Sequence, residues 1–146
     1  MEYVIREAVP ADEARIDALF REMLRDIYGK PIDEHWRPGA YFDGKEDRVY
    51  TAEATGEVIA FLSAEVHREE RPYLYIDDFC VTAACRGQGI GNALLDRAEG
   101  YAAALGIPAV LLHVERENEG ARRLYERRGY RLLEEQGSRL LLVREE

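Results

Sequence analysis

Arg86-Gly87-Gln88-Gly89-Ile90-Gly91 decides the reading of this chain, because it joins an apolar run, Tyr73 to Val81, to an amphipathic one that starts at Ile90. Three glycines within five residues leave backbone N–H groups unshielded at a helix start, where the helix dipole is positive and an anion can approach closely. Arg86 adds a positive charge beside them. In that setting the run is a phosphate cradle.

Working outward, Tyr73 to Val81 alternates as a strand, with Tyr73, Tyr75, Asp77, Phe79 and Val81 on one face and Leu74, Ile76, Asp78 and Cys80 on the other. After the glycines, Leu94, Leu95, Ala98, Tyr101, Ala102 and Leu105 keep helical spacing until Gly106 and Pro108 stop the helix. Ala109 to Val114 is apolar except for His113, as suits a strand buried in a parallel pair. The unit from Tyr73 to Val114 is strand, glycine turn, helix, strand.

Upstream, Tyr3 to Ile5 reads as a strand and Val9-Pro10 opens a helix whose stripe is Ile16, Leu19, Phe20, Met23, Leu24 and Ile27, ended by Gly29 and Pro31. Lys30 to Asp47 reads as a short helix plus a loop. Arg48 to Glu53 and Glu57 to His67 form a hairpin around Ala54-Thr55-Gly56. Downstream, Asn118 caps a short helix carrying Ala121, Leu124 and Tyr125 and ended by Gly129; Tyr130 to Leu133 and Ser138 to Val143 close the chain as a hairpin around Gln136-Gly137. The order is α+β, with one parallel crossover inside an otherwise antiparallel sheet.

The chain has 146 residues, which fits one domain over residues 1–146. With 47% hydrophobic and 34% charged residues the composition is that of a soluble globular protein, and no apolar run is long enough for a membrane span. Met1 to Glu7 carries no signal-peptide core, so the expected location is cytoplasmic. A net charge of −9 argues against a nucleic-acid binder. It suits a cationic partner, or serves solubility alone. Cys80 and Cys85 have no zinc-like spacing and are expected reduced; Cys80 reads as a small core hydrophobe. Cys85, beside Arg86, reads either as inert or as a thiol with a lowered pKa. His35, His67 and His113 show no metal-site spacing, and no metal is expected.

Two phosphate motifs fail against the letters. A nucleoside-triphosphate loop needs a lysine after its last glycine, and Gly91 is followed by Asn92. A dinucleotide fingerprint from Gly87 needs glycine or alanine at position 92 and sits near the first strand of its fold.

Arg86 to Gly91 instead resembles the R/Q-x-x-G-x-G/A signature of the GNAT superfamily of N-acetyltransferases. Asn118, Ala121, Leu124, Tyr125, Gly129 and Tyr130 are similar to that family's N-x-x-A-x-x-L-Y-x-x-x-G-aromatic pattern. The resemblance implies the GNAT (acyl-CoA N-acyltransferase) fold, a mostly antiparallel sheet with a central splayed parallel pair flanked by helices. It implies acetyl-CoA as co-substrate, with its pantetheine arm against the backbone of Phe79, Cys80 and Val81. The pyrophosphate would lie on the N–H groups of Gln88, Gly89, Ile90 and Gly91, beside Arg86 and Gly87, with Asn118 and Ala121 along the cofactor. The family further implies Tyr125 as the acid for the departing thiolate; without the motif, Tyr125 reads as a core aromatic.

Tyr75-Ile76-Asp77-Asp78-Phe79-Cys80-Val81 resembles the Y-L-E-D-F-F-V run of spermidine/spermine-type acetyltransferases, whose acidic pair serves acceptor binding and proton removal. Carboxylates in an apolar strand are exposed, paired or used, and strand alternation parts the two unless a bulge intervenes. Asp77 is the expected base, through water; Asp78 is an acceptor contact or a structural partner. His113 reads as a core histidine or a proton relay. Tyr28, Trp36, Tyr41 and Phe42 lie where the family shapes its acceptor pocket, and ordinary packing explains them equally well. Ala83 and Cys85 replace the proline and aromatic common in the family, leaving the subfamily open. The expected activity is acetyl transfer to a primary amine of a small cationic molecule in a ternary complex, with a peptide or protein amine, or a non-catalytic acyl-CoA-binding module, as alternatives. Dimerisation is a family-level expectation.

Overall fold

The computed structural model describes residues 1–145; Glu146, the last residue of the expected domain, lies outside them. The elements run β1 (Val4–Glu7), α1 (Glu13–Tyr28), β2 (Arg48–Ala54), β3 (Glu57–His67), β4 (Tyr73–Val81), α2 (Ile90–Ala104), β5 (Ala109–Glu115), α3 (Glu119–Arg127), β6 (Arg131–Gln136) and β7 (Arg139–Glu145), with single 3-10 turns at Pro10–Asp12 and Ala83–Cys85. One sheet holds all seven strands in the order β1-β2-β3-β4-β5-β7-β6. Every neighbouring pair is antiparallel except β4 and β5.

Period-2 alternation gives the sheet two apolar faces, and a helix covers each. On one side α2 and α3 bury Leu62, Leu74, Ile76, Leu94, Leu95, Leu112 and Tyr125. On the other α1 and Trp36 bury Phe61 and Cys80. The α1 stripe ends sooner than its spacing predicts: Ile16, Leu19, Phe20 and Leu24 are buried, whereas Ile27 is half exposed in the last turn. Residues 30–47 hold no helix. Pro31 and Pro38 interrupt helical bonding there, and Gly39 and Gly44 turn the chain at φ of +50° and +81°. Asp17 on α1 anchors the segment, with Oδ1 accepting from Trp36 N–H at 2.7 Å and Oδ2 facing His35 Nδ1 at 3.0 Å. The final turn falls at Gly137-Ser138, so Gln136 belongs to β6 rather than to the turn.

The parallel pair is short. β4 and β5 are in register only from Leu74 opposite Val110 to Ile76 opposite Leu112. Beyond that, β4 stays on β3 to Val81 and β5 stays on β7 to Glu115. The strands part into a cleft.

A second departure from regularity lies in β4. Leu62 opposes Phe79 but Ala64 opposes Ile76, so Asp77 and Asp78 together stand opposite Ser63, two residues against one. Ser63 Oγ accepts from the Asp78 N–H at 2.9 Å and replaces the lost ladder bond. The bulge overturns the alternation expected for this strand: Phe79 and Val81 join Leu74 and Ile76 on the α2 side, while Cys80 faces α1. By the same count Asp77 and Asp78 share the α1 side.

α3 is fastened to α2 by one arginine at its C-terminus. Arg128 donates to Asn92 Oδ1 at 3.0 Å, Asp96 Oδ1 at 2.6 Å and Glu99 Oε1 at 2.7 Å, along one face of α2. Tyr130 donates to Glu99 Oε2 at 2.8 Å. Both Arg128 and Glu99 are largely withdrawn from water, with 15% and 10% of their side chains exposed. Removing Arg128 leaves Glu99 with the more distant Arg144, at 3.9 Å, as counter-charge. Arg128→Met is expected to cost about 3 kcal/mol, against at most about 1 kcal/mol for breaking the exposed Arg131–Glu145 pair with Arg131→Ala. Urea unfolding midpoints check this; equal shifts would make Arg128 an ordinary surface charge.

Candidate active site

The cradle follows β4 directly. Gly87 and Gly89 take φ of +78° and +79°, in the left-handed region, and Gly89 is the N-cap of α2. The first α2 backbone bond runs from Ala93 N–H to Gly89 O at 3.0 Å, so the N–H groups of Ile90, Gly91 and Asn92 have no partner inside the helix. Among the described residues, the N–H groups of Gly87, Gln88 and Gly89 have no protein acceptor either. A Cβ on Gly87 or Gly89 would meet nothing within 4 Å. Unclaimed donors around open space at a helix start fit a pyrophosphate. Gly91 serves another purpose: a Cβ there would lie 3.3 Å from the Phe79 ring, so this glycine lets α2 close onto β4.

Arg86 is not aimed at the glycines. Its guanidinium pairs with Asp26 at 3.1 Å, and its Nε donates to Val81 O at 3.0 Å. Glu22, one turn earlier on α1, accepts from Thr82 Oγ1 at 2.9 Å and Ala83 N–H at 3.2 Å. The approach to the cradle is thus latched to α1. Cys85 is buried in the α2-side core, which removes it from solvent.

The inner wall of the cleft is β4. Thr82 N–H reaches Ile59 O at 2.9 Å, and the pair Phe61–Cys80 lies two residues along the same ladder. In an antiparallel ladder the bonded pairs alternate, so Cys80 turns its N–H and C=O to β3, and Phe79 and Val81 turn theirs to the cleft. The expected backbone contacts therefore reduce to Phe79 and Val81. The Cys80 thiol donates to Leu19 O at 3.4 Å, and burial pushes its pKa up to about 12. It is an inert packing group.

Across the gap runs β5, and α3 follows it in the chain. Asn118 Oδ1 accepts from Ala121 N–H at 3.2 Å, so its side chain caps the helix. Tyr125 is 7% exposed, edge-on to Tyr130 with centroids 5.7 Å apart. Its hydroxyl has no hydrogen-bond partner among the described residues, and burial holds its pKa above the ordinary tyrosine value.

On the α1 side of the cleft the bulge gathers acids. Glu65 stands opposite Tyr75, two pairs before the bulge. Burial, then the charges of Asp77 and Glu65, push Asp78 up to about 7. Burial also lifts Asp77, against the pull of Arg139 on β7, although Asp77 keeps solvent contact. Tyr41 is held above its usual pKa by burial and by the nearby charges of Asp77, Glu65 and Asp78. The buried Trp36 indole N–H has no hydrogen-bond partner among the described residues, and the buried Tyr41 hydroxyl has only Ser63 nearby, outside good hydrogen-bond geometry. Trp36 itself is 4% exposed and stacked on Tyr41 at 5.8 Å, so it backs the pocket rather than lining it. Tyr28, 61% exposed at the end of α1, makes no hydrogen bond, ion pair or ring contact among the described residues.

His113 is the first β5 residue beyond the parallel pairing, and it faces the α1 side because Leu112 and Val114 face α2. The Tyr75 hydroxyl lies 2.5 Å from its Nδ1 and Gln136 Oε1 lies 2.7 Å from its Nε2. Sequence reasoning missed Glu65, Tyr75 and Gln136 as site residues. Pairing the hairpin strands β3 and β4 residue by residue would have found Glu65; Gln136 arrives from a strand no local pattern connects to β5. Among the described residues no group of His, Cys, Asp and Glu could hold a metal ion, and no helix is long and apolar enough to cross a membrane.

The two glycine roles predict opposite phenotypes. Gly89→Ala forces a side chain into left-handed backbone at the cradle and is expected to weaken acetyl-CoA binding on the order of tenfold, the equivalent of one lost hydrogen bond. Gly91→Ala pushes on Phe79 and lowers Tm with a smaller effect on Kd. Calorimetric titration and thermal melts separate them; an unchanged Kd for Gly89→Ala would move the pyrophosphate elsewhere.

Comparison with known proteins agrees with this geometry. The description "Acetyltransferase (GNAT) family" matches residues 15–130. A mycothiol acetyltransferase of Streptomyces griseus is 34% identical over 91 residues, covering 62% of this chain and 28% of that protein. An uncharacterized N-acetyltransferase of Methanocaldococcus jannaschii is 34% identical over 89 residues, covering 58% of this chain and 39% of its own length. The chain thus matches between about a quarter and two fifths of these relatives. PaiA N-acetyltransferase from Thermoplasma acidophilum, solved with coenzyme A, superposes with a TM-score of 0.84 at 19% identity over 100% of both chains. Arabidopsis thaliana NAA60 with a bisubstrate analogue gives 0.78 at 21% identity over 99% of both. A splayed parallel pair, a glycine cradle on the following helix and a family match spanning both make the chain a member of the GNAT acetyltransferase family.

Proposed function

We propose that the chain transfers acetyl from acetyl-CoA to a primary amine of a small cationic molecule, by direct attack in a ternary complex. The observation that carries this reading is the β4 bulge, which turns Asp77 and Asp78 to one side, beside Glu65, at the open end of the cleft. Three carboxylates with one another's charge to bear gain most from a cation. The names of the curated relatives, acetyltransferases, support the reaction class.

Acetyl-CoA supplies an acyl group already activated as a thioester. The Phe79 N–H, free on the cleft edge of β4, donates to the carbonyl oxygen as negative charge gathers there. The amine lone pair forms the C–N bond while the C–S bond breaks. Tyr125 stays protonated because it is buried, and its hydroxyl gives the departing sulfur a proton that solvent replaces. The amine loses one proton in the same sequence. Asp77 and Asp78 hold the incoming ammonium, Asp78 from the more enclosed position.

The titration of Asp78 gives this reading a pH signature. Below about 7 the carboxyl is protonated, so KM for a cationic amine rises as pH falls through that value while KM for acetyl-CoA does not. Asp78→Asn is expected to raise the amine KM and flatten its pH dependence. Because the fold favours the protonated Asp78, wild type loses that preference as pH rises through 7. The Asn variant therefore melts higher than wild type at pH 8, and the advantage shrinks as pH falls from about 7 and is gone below pH of about 4. Steady-state kinetics on an amine panel and melts at the two pH values check both; an unchanged amine KM would detach Asp78 from acceptor binding.

Tyr125→Phe is expected to lower kcat on the order of a hundredfold with acetyl-CoA affinity unchanged. Full activity in that variant would remove Tyr125 as the acid. Tight acetyl-CoA binding by wild type with no amine-dependent CoA release across the panel would replace the enzyme with a binding module.

A further inference from the structure

The carboxylates that hold an ammonium also resist its deprotonation, because the cation offsets the burial and the repulsion that raise Asp78, and each ion pair favours the charged amine. Attack on the thioester needs the neutral amine. A proton acceptor that is itself uncharged fits this pocket better, and one stands at the apex of the cleft. We propose that Tyr75, His113 and Gln136 form the proton-accepting chain for the acceptor amine, with Gln136 as the positioning residue that sets its direction. The inference rests on the acetyl transfer proposed above.

The geometry runs through three strands. Tyr75 lies within the last three residues of β4 that pair with β5, and Asp77 follows two positions later, at the start of the splay. Its hydroxyl meets His113 Nδ1 at 2.5 Å across the strand boundary, and His113 Nε2 meets Gln136 Oε1 at 2.7 Å on the closing hairpin. An amide oxygen only accepts, so it places the imidazole proton on Nε2 and leaves the Nδ1 lone pair to the Tyr75 O–H. The amine proton then passes to Tyr75 Oη as the hydroxyl's own proton passes to Nδ1. The amine N–H bond breaks, an N–H bond forms on His113, and tyrosine is never ionised. That matters because burial, then Asp77, holds the Tyr75 pKa above its usual value.

The imidazolium so formed is well placed electrostatically. Tyr75 and Asp77 face His113 from β4, Arg139 from β7, Glu134 and Gln136 from β6, and Glu115 lies on the same side of β5; Glu65 on β3 is next beyond Tyr75. Carboxylates outnumber the one arginine. The charge that leaves the amine stays inside the field that attracted it, while the nitrogen becomes free to react.

The chain is tested by histidine-selective 15N NMR and by kinetics on Tyr75→Phe, His113→Gln, Gln136→Leu and Gln136→Glu, each checked for folding by acetyl-CoA affinity, which should stay within about twofold of wild type because the cradle is untouched. At pH 8 His113 should carry its proton on Nε2, with a hydrogen-bonded Nδ1 whose signal moves in Tyr75→Phe. Both Tyr75→Phe and His113→Gln should lower kcat on the order of a hundredfold, and the double variant little further. Gln136→Glu should move the acidic limb of the kcat profile to higher pH, since a carboxylate favours the imidazolium; Gln136→Leu should lower kcat without that shift. A proton on Nδ1 in wild type, additive losses in the double variant, or an unmoved limb in Gln136→Glu overturns the chain. If no amine in the panel is acetylated, the proposed function fails by itself, while the tautomer still decides the direction of the chain.

Discussion

The structure depends on a gap that its own sheet prevents from closing. β4 and β5 share three residue pairs and then separate, and each is held on its outer edge by an antiparallel partner to its last residue. Backbone N–H and C=O groups are obligatory hydrogen-bonding groups. Those of Phe79 and Val81 on the cleft edge have no strand to meet. Arg86 takes the Val81 carbonyl, and the remaining Phe79 and Val81 groups stay without a strand partner at the centre of the fold, where a ligand lying along β4 like a strand would complete the ladder.

The bulge does for the proposed acceptor side what the gap does for the proposed cofactor side. Inserting one residue opposite Ser63 leaves the β4 core contacts intact on the α2 side and rotates two acids to the α1 side. The cost is visible. Asp78 titrates far from its ordinary range, and Tyr41 and Trp36 bury polar atoms without partners in the same neighbourhood. An environment that raises a carboxyl and strands two donors is unfavourable to the fold and favourable to a ligand that satisfies them.

The cradle, the element order and the parallel crossover were legible in the sequence because each is encoded locally, by glycines at fixed spacing, by period and by caps. The faces of β4 beyond Ile76 were not. Alternation is a property of one strand, whereas the bulge arises from the pairing of two, and the register of β3 on β4 together with the Ser63 bond to Asp78 N–H reveals it. Trp36 was open between pocket and packing for a related reason: local letters do not say which side of a loop faces the core, and it is the Asp17 anchors that hold this one against the sheet. Gln136 was out of reach altogether, since it meets His113 across 23 positions of sequence through strand order alone.

The pairing of Arg86 with Asp26 bears on turnover. A guanidinium beside a phosphate site is often pictured as waiting for its anion, but here it already has a carboxylate, at an exposed position where exchange is cheap. An arriving pyrophosphate would swap one counter-ion for another, and a departing one would leave no charge stranded. Under the proposed acetyl transfer, such a loop would give up affinity at the bound end and gain in product release, so that spent coenzyme would leave a site which heals behind it.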